Sequence, residues 1–169
     1  MGLAKTSAGA VVFAEYGTGN VYAAQSDEVT QIASNLDKPT GVAVDNSDIV
    51  YVSERGSGRI IRIDGSKSDT LVDDLINPQG LAVRGDTLYV IDTGSKELLA
   101  IDTGNGSRSI LASNLPVGAP PGVIPKPLMS VGDMSGPMTD FTGLAIDANG
   151  TLYIAGDAEG AVLALRPTN

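Results

Sequence analysis

Four carboxylates recur at corresponding places along this 169-residue chain: Glu15, Glu54, Asp92 and Asp157, each following a short apolar run. Glu15 and Glu54 stand 39 residues apart, whereas Asp157 is displaced by one position from the others. Carboxylates around one mouth can bind a cation or a basic ligand, or act as acid and base on a sugar or lactone. An acid at a strand end also caps turns by accepting backbone N–H groups, so a structural role stands beside the chemical one. Tyr16 and Arg55, adjacent to this set, add a phenol and a guanidinium. The chain has no His and no Cys. That excludes Ser-His-Asp and Cys-His catalysis, His-ligated zinc, disulfides and thiolate nucleophiles. Proton transfer is left to carboxylates, Tyr, Lys and hydroxyls.

The elements that position these residues follow from a repeat. Gly41-Val42-Ala43-Val44 recurs as Gly80-Leu81-Ala82-Val83 and Gly143-Leu144-Ala145-Ile146, with a degraded copy at Gly2-Leu3-Ala4. The first two steps are 39 residues each, and the third repeat carries 24 more. A second apolar burst follows in each copy, at 10–13, 49–52, 88–91 and 152–155, after turns rich in Asn, Asp and Gly. Such residues tolerate positive φ or bond their own backbone, as hairpins require. Third strands are predicted at 21–24, 60–63, 98–101 and 162–165, and more polar fourth strands in the first three copies only. Short strands at a period near 40 predict an all-β propeller of four-stranded antiparallel blades. The four repeats span about 2–39, 40–78, 79–141 and 142–169 of a single domain. The extra length is a Pro/Gly-rich insertion at 115–141, whose apolar residues suit an ordered lid or a partner-binding loop.

Composition narrows the partners. A net charge of −9 and the absence of Trp oppose nucleic-acid binding, which depends on Lys, Arg and stacking surfaces. No apolar run approaches the length of a membrane span. Residues 1–9 lack the basic start and apolar centre of a signal peptide, and the compartment is left open.

Two copies carry the pattern most clearly, Pro39-Thr40-Gly41-Val42-Ala43-Val44-Asp45 through Tyr51-Val52-Ser53-Glu54, and Pro78-Gln79-Gly80-Leu81-Ala82-Val83 through Tyr89-Val90-Ile91-Asp92. This pattern resembles the NHL-repeat and senescence-marker/gluconolactonase-like propellers, and the resemblance covers essentially the whole chain. It implies a calcium-type site over the central channel, with ligands placed directly before the inner-strand glycine. Here those positions are Thr40, Gln79 and Thr142, none of them a carboxylate. Hard cations favour several charged oxygens, so no metal or cofactor is expected, with calcium the alternative. The family usually has six blades in one chain, and four repeats imply either a homo-oligomer that completes a ring or part of a larger propeller. The expected function is a non-catalytic module that binds a small molecule or a protein at its top face. The alternative is a gluconolactonase-like hydrolase.

Overall fold

The computed structural model describes residues 2–118 and 141–167, which form fifteen strands and no helix. The first sheet runs β1 (Leu3–Lys5), β2 (Val11–Glu15), β3 (Asn20–Gln25) and β4 (Glu28–Ala33), each strand antiparallel to the next. The second repeats this with β5 (Pro39–Val44), β6 (Val50–Glu54), β7 (Arg59–Asp64) and β8 (Lys67–Val72). The third has β9 (Pro78–Arg84), β10 (Thr87–Asp92), β11 (Glu97–Asp102) and β12 (Arg108–Ala112). The fourth holds three strands among the described residues, β13 (Leu144–Ile146), β14 (Leu152–Gly156) and β15 (Ala161–Leu165).

The hairpins form where the sequence supplies left-handed residues. Asp48 (φ 62°), Gly85 (φ 56°) and Gly150 (φ 87°) sit in the turns that lead into the second strands of blades 2, 3 and 4. Asp45 and Asp147 pin two of these turns, each accepting two backbone N–H groups just downstream. The two acids also receive the phenols of Tyr51 and Tyr153. Burial, together with the bond to Asp45, pushes the Tyr51 phenol up to about 12. The second strands run one or two residues past the apolar bursts. Glu15, Glu54 and Asp92 are therefore paired strand residues and not part of the following turn, as Glu54 opposite both Pro39 and Arg59 illustrates.

The pleat sends alternate residues to opposite faces, and each face packs on a neighbouring sheet. Val12, Ala14 and Val21 of the first sheet meet Val42, Val50, Val52, Ile61 and Ile63 of the second. The other face of the second, with Ala43, Tyr51, Ile60, Val72 and Leu75, meets Leu81, Leu88, Val90, Leu99 and Ile101 of the third. Ile91 and Leu98 of the third join Leu152 and Ile154 of the fourth. Each fully buried Val, Leu or Ile side chain contributes roughly 1.5–3 kcal/mol, so these three layers between sheets hold the fold. A single blade has no such layer of its own.

The inner strands touch in chain order, β1 on β5, β5 on β9 and β9 on β13. No comparable contact joins β13 to β1 among the described residues. Among the described residues the blades thus pack in chain order from blade 1 to blade 4.

Candidate functional site

The top face lies where the inner strands begin, the second strands end and the linkers pass from one blade to the next. Glu54 is fully buried there. Its carboxylate accepts the Asp37 N–H at 2.7 Å, the Arg59 Nε–H at 2.8 Å and the Ser57 hydroxyl at 3.1 Å. Asp92 is 2% exposed, with Oδ2 accepting the Ile76 N–H at 2.8 Å. Its Oδ1 takes the Asn77 N–H at 2.8 Å, the Gly94 N–H at 3.0 Å and the Ser95 N–H at 3.4 Å. Asp37 lies in the linker between β4 and β5, and Ile76 and Asn77 in the linker between β8 and β9. Asp157, although exposed, accepts the Gly118 N–H and the Thr142 hydroxyl, both at 2.9 Å. Gly118 belongs to the connection between β12 and β13. Three acids of the repeat therefore hold the linker that enters their own blade. Glu15, the fourth, is half-buried and receives the Thr18 hydroxyl, with no linker N–H against it among the described residues.

This arrangement sets the chemistry. A carboxylate offers about four lone-pair positions, and four N–H groups already converge on Asp92. A cation there would have to displace the linker. No three Asp or Glu side chains converge into a metal-binding group among the described residues. Glu54, Asp92 and Asp157 each face their own linker.

Thr40, Gln79 and Thr142 form a different feature. All three are buried, and their contacts run from blade to blade. The Ser53 hydroxyl lies 3.0 Å from the Thr40 hydroxyl, receives the Gly41 N–H at 2.8 Å and bonds the Gln79 carbonyl at 2.7 Å. Gln79 Nε2 donates to the Thr93 hydroxyl at 3.1 Å, and its Oε1 accepts the Thr142 N–H at 2.8 Å. Thr142 then passes to Asp157. Asn77 joins the side of this belt, donating to the Thr93 hydroxyl and accepting from Arg55 Nε, both at 2.7 Å. Tyr16 is half-buried beside Glu15. The belt is uncharged until its Asp157 end.

Ser53, Asn77 and Thr93 escape notice in the sequence, because Ser53 interrupts an apolar strand, Thr93 follows an acid and Asn77 lies in the linker before β9, and none repeats in all copies. The signal that marks Ser53 is a hydroxyl inside a strand whose neighbours are core residues. The root of the insertion is also anchored. Leu115 and Val117 are buried in the layer between blades 3 and 4, and Lys96 Nζ donates to the Val117 carbonyl at 2.9 Å. The expected lid or loop at 119–140 lies outside the described residues. A groove of about 490 Å³ lies on blade 3, lined by Ile76, Asp92, Ser95, Glu97 and the Arg108–Asp74 ion pair.

No family model matches the chain, and no curated protein resembles it in sequence. Solved structures do match its fold. A chain of a nidogen–laminin complex is 19% identical with a TM-score of 0.67, over 99% of this chain and 64% of that one. Virginiamycin B lyase from Staphylococcus aureus is 12% identical with a TM-score of 0.68, over 99% and 55%. A gluconolactonase from Xanthomonas campestris is 17% identical with a TM-score of 0.65, over 99% and 75%. This chain is a β-propeller. At these identities the likeness carries the fold alone, and the chain spans less than two thirds of the matched chain of the nidogen–laminin complex and of the lyase. The propeller's described residues also contain no helix long and apolar enough to cross a membrane.

Proposed function

We propose that this propeller is a non-catalytic recognition module of the NHL and gluconolactonase-like group, binding a small molecule or a protein at its top face. One observation carries the reading. The buried carboxylates that would serve as acid, base or metal ligand, Glu54 and Asp92, are engaged by the N–H groups of the interblade linkers. The side chains proposed to meet a ligand are Tyr16 and Arg55, beside the anchored root of the insertion, while the neutral Thr40–Gln79–Thr142 belt is buried between the blades. Structures that share the fold include gluconolactonases, which favours a metal-assisted lactone hydrolase as the second reading. That reading requires Glu15, Glu54 and Asp92 to leave their present donors.

Gluconolactone hydrolysis, measured with and without calcium, zinc or manganese, separates the two. The expected result is no turnover above buffer and no saturable metal binding. Metal-dependent hydrolysis that disappears in both Glu54→Gln and Asp92→Asn, with each variant still folded, would overturn the proposal. A second arm locates the surface. Amide signals of Tyr16, Arg55 and Thr142 are expected to shift when a labelled sample is titrated with neutral sugars, sugar acids and short basic peptides. Shifts confined to the outer strands β4, β8 and β12 would contradict top-face binding.

A further inference from the structure

Blades 2 and 3 build the same corner from different charges. In blade 2, Arg59 Nε donates to the Glu54 carboxylate at 2.8 Å and to the Ser57 hydroxyl at 3.1 Å, and that hydroxyl donates to Glu54 at 3.1 Å. Asp92, Ser95 and Glu97 stand 38 residues further on, one for one. The strand pairing makes the same match, since Glu54 lies opposite Arg59 and Asp92 lies opposite Glu97. A carboxylate has replaced the cation, and two like charges face each other across a strand pair, which costs stability.

The exchange leaves polar groups unmatched. Among the described residues, the Ser95 hydroxyl oxygen is the one buried side-chain polar atom with no hydrogen-bond partner. The Glu97 carboxylate likewise has no hydrogen bond or ion pair among them. Both line the groove of about 490 Å³ on blade 3. The groove wall changes in the complementary sense. Asp37 and Ile76 are equivalent, each sending its N–H to the acid of its blade, and Thr70 and Ile110 are equivalent, opposite Ile61 and Leu99. Two polar side chains of blade 2 thus become isoleucines in blade 3, 68% and 59% exposed. The cation already in the groove, Arg108, is held by both oxygens of Asp74.

We propose that this groove binds an alkylguanidinium, its cation between Ser95 and Glu97 and its aliphatic stem along Ile76 and Ile110. The ligand class follows from blade 2, where Arg59 supplies that group from within the chain. A guanidinium offers a planar set of N–H donors to a hydroxyl and a carboxylate together, and it sheds water more readily than an ammonium. Asp92 adds negative charge beside the site while keeping its linker N–H groups. The groove's volume falls in the range of small-molecule sites. The proposal does not depend on what Tyr16 and Arg55 bind.

Titration of the labelled whole chain with butylguanidinium to about 10 mM, followed by amide signals, tests it. Saturable shifts are expected at Ser95, Glu97 and Ile110, while Tyr16 and Thr142 report the top face separately. Neutral butylurea, of the same shape, is expected to leave the three groove signals in place. Glu97→Arg rebuilds the blade 2 arrangement inside the chain and is expected to abolish the shifts and raise the urea midpoint. Glu97→Gln and Ser95→Ala, with unchanged circular dichroism spectra, are each expected to weaken binding about tenfold or more. Tighter binding of N-acetylarginine amide than of free arginine would assign the group to a peptide side chain, and the reverse to a free molecule; both uphold the site. No saturable shift at the three groove residues, equal binding of butylurea, or a folded Glu97→Arg that binds as the wild type does would overturn the proposal.

Discussion

Replacing Asp92 with alanine is expected to lower stability by about 3–5 kcal/mol, because each buried N–H left without an acceptor costs roughly 1–3 kcal/mol. The loss has a defined origin. The Ile76 and Asn77 N–H groups and those of Gly94 and Ser95 all point at the deleted carboxylate, and Ala offers no replacement. With the linker released, Leu75 would also loosen from the layer between blades 2 and 3. Asp157→Ala serves as the comparison. That acid accepts two hydrogen bonds but is exposed, so water replaces the lost partner and the expected cost is about 1 kcal/mol. Urea unfolding of the two variants measures the difference as a shift of midpoint. Equal midpoints would remove the structural role assigned to Asp92.

Gly41→Ala is expected to be the second large effect, destabilising by about 3 kcal/mol, at the upper end of the range for overpacking a close contact. The added methyl meets the Gln79 carbonyl oxygen, a backbone atom that has no rotamer into which to retreat. Blades 2 and 3 would have to part, stretching the Ser53 bonds to Gly41 and Gln79 and opening the layer around Ala43 and Leu81. Gly17→Ala is the control, since no described residue comes within 4 Å of its would-be Cβ and its effect should stay within about 0.5 kcal/mol. If Gly41→Ala unfolds at the same urea concentration as Gly17→Ala, the inner strands do not approach as described.

The repeat made the architecture legible before any coordinates. Gly41 and Gly80 recur because the space beside an inner strand admits only a backbone, and the 39-residue step follows from four short strands and their turns. The strand ends were less legible. An apolar burst marks where a strand is buried, while pairing continues into Glu54 and Asp92, whose polarity hides their place in the ladder.

The roles of the acids were harder still, for a physical reason. Period and position give which residues share a face, but a carboxylate's partner is decided by the linker folded over it. Linker segments such as Asp37-Lys38 and Ile76-Asn77 share little beyond the proline that follows them. One cue was present in the sequence. Asn35-Leu36, Asp74-Leu75 and Asn114-Leu115 recur, with Asn or Asp in the left-handed region and Leu turned into the core layers between blades. That pair places the following N–H groups over the acid, and it can be read from spacing alone. The neutral belt was half visible: Thr40, Gln79 and Thr142 follow from the glycine they precede, whereas Ser53 and Thr93 depend on contacts between blades.

Amide hydrogen exchange at the linkers tests most directly whether each acid secures the chain entering its own blade. In the wild type the N–H groups of Asp37, Ile76 and Asn77 should exchange slowly. Asp92→Asn should speed Ile76 and Asn77 at least tenfold and leave Asp37 unchanged, and Glu54→Gln should do the reverse. Fast exchange at these amides in the wild type, or rates that neither substitution alters, would contradict the account.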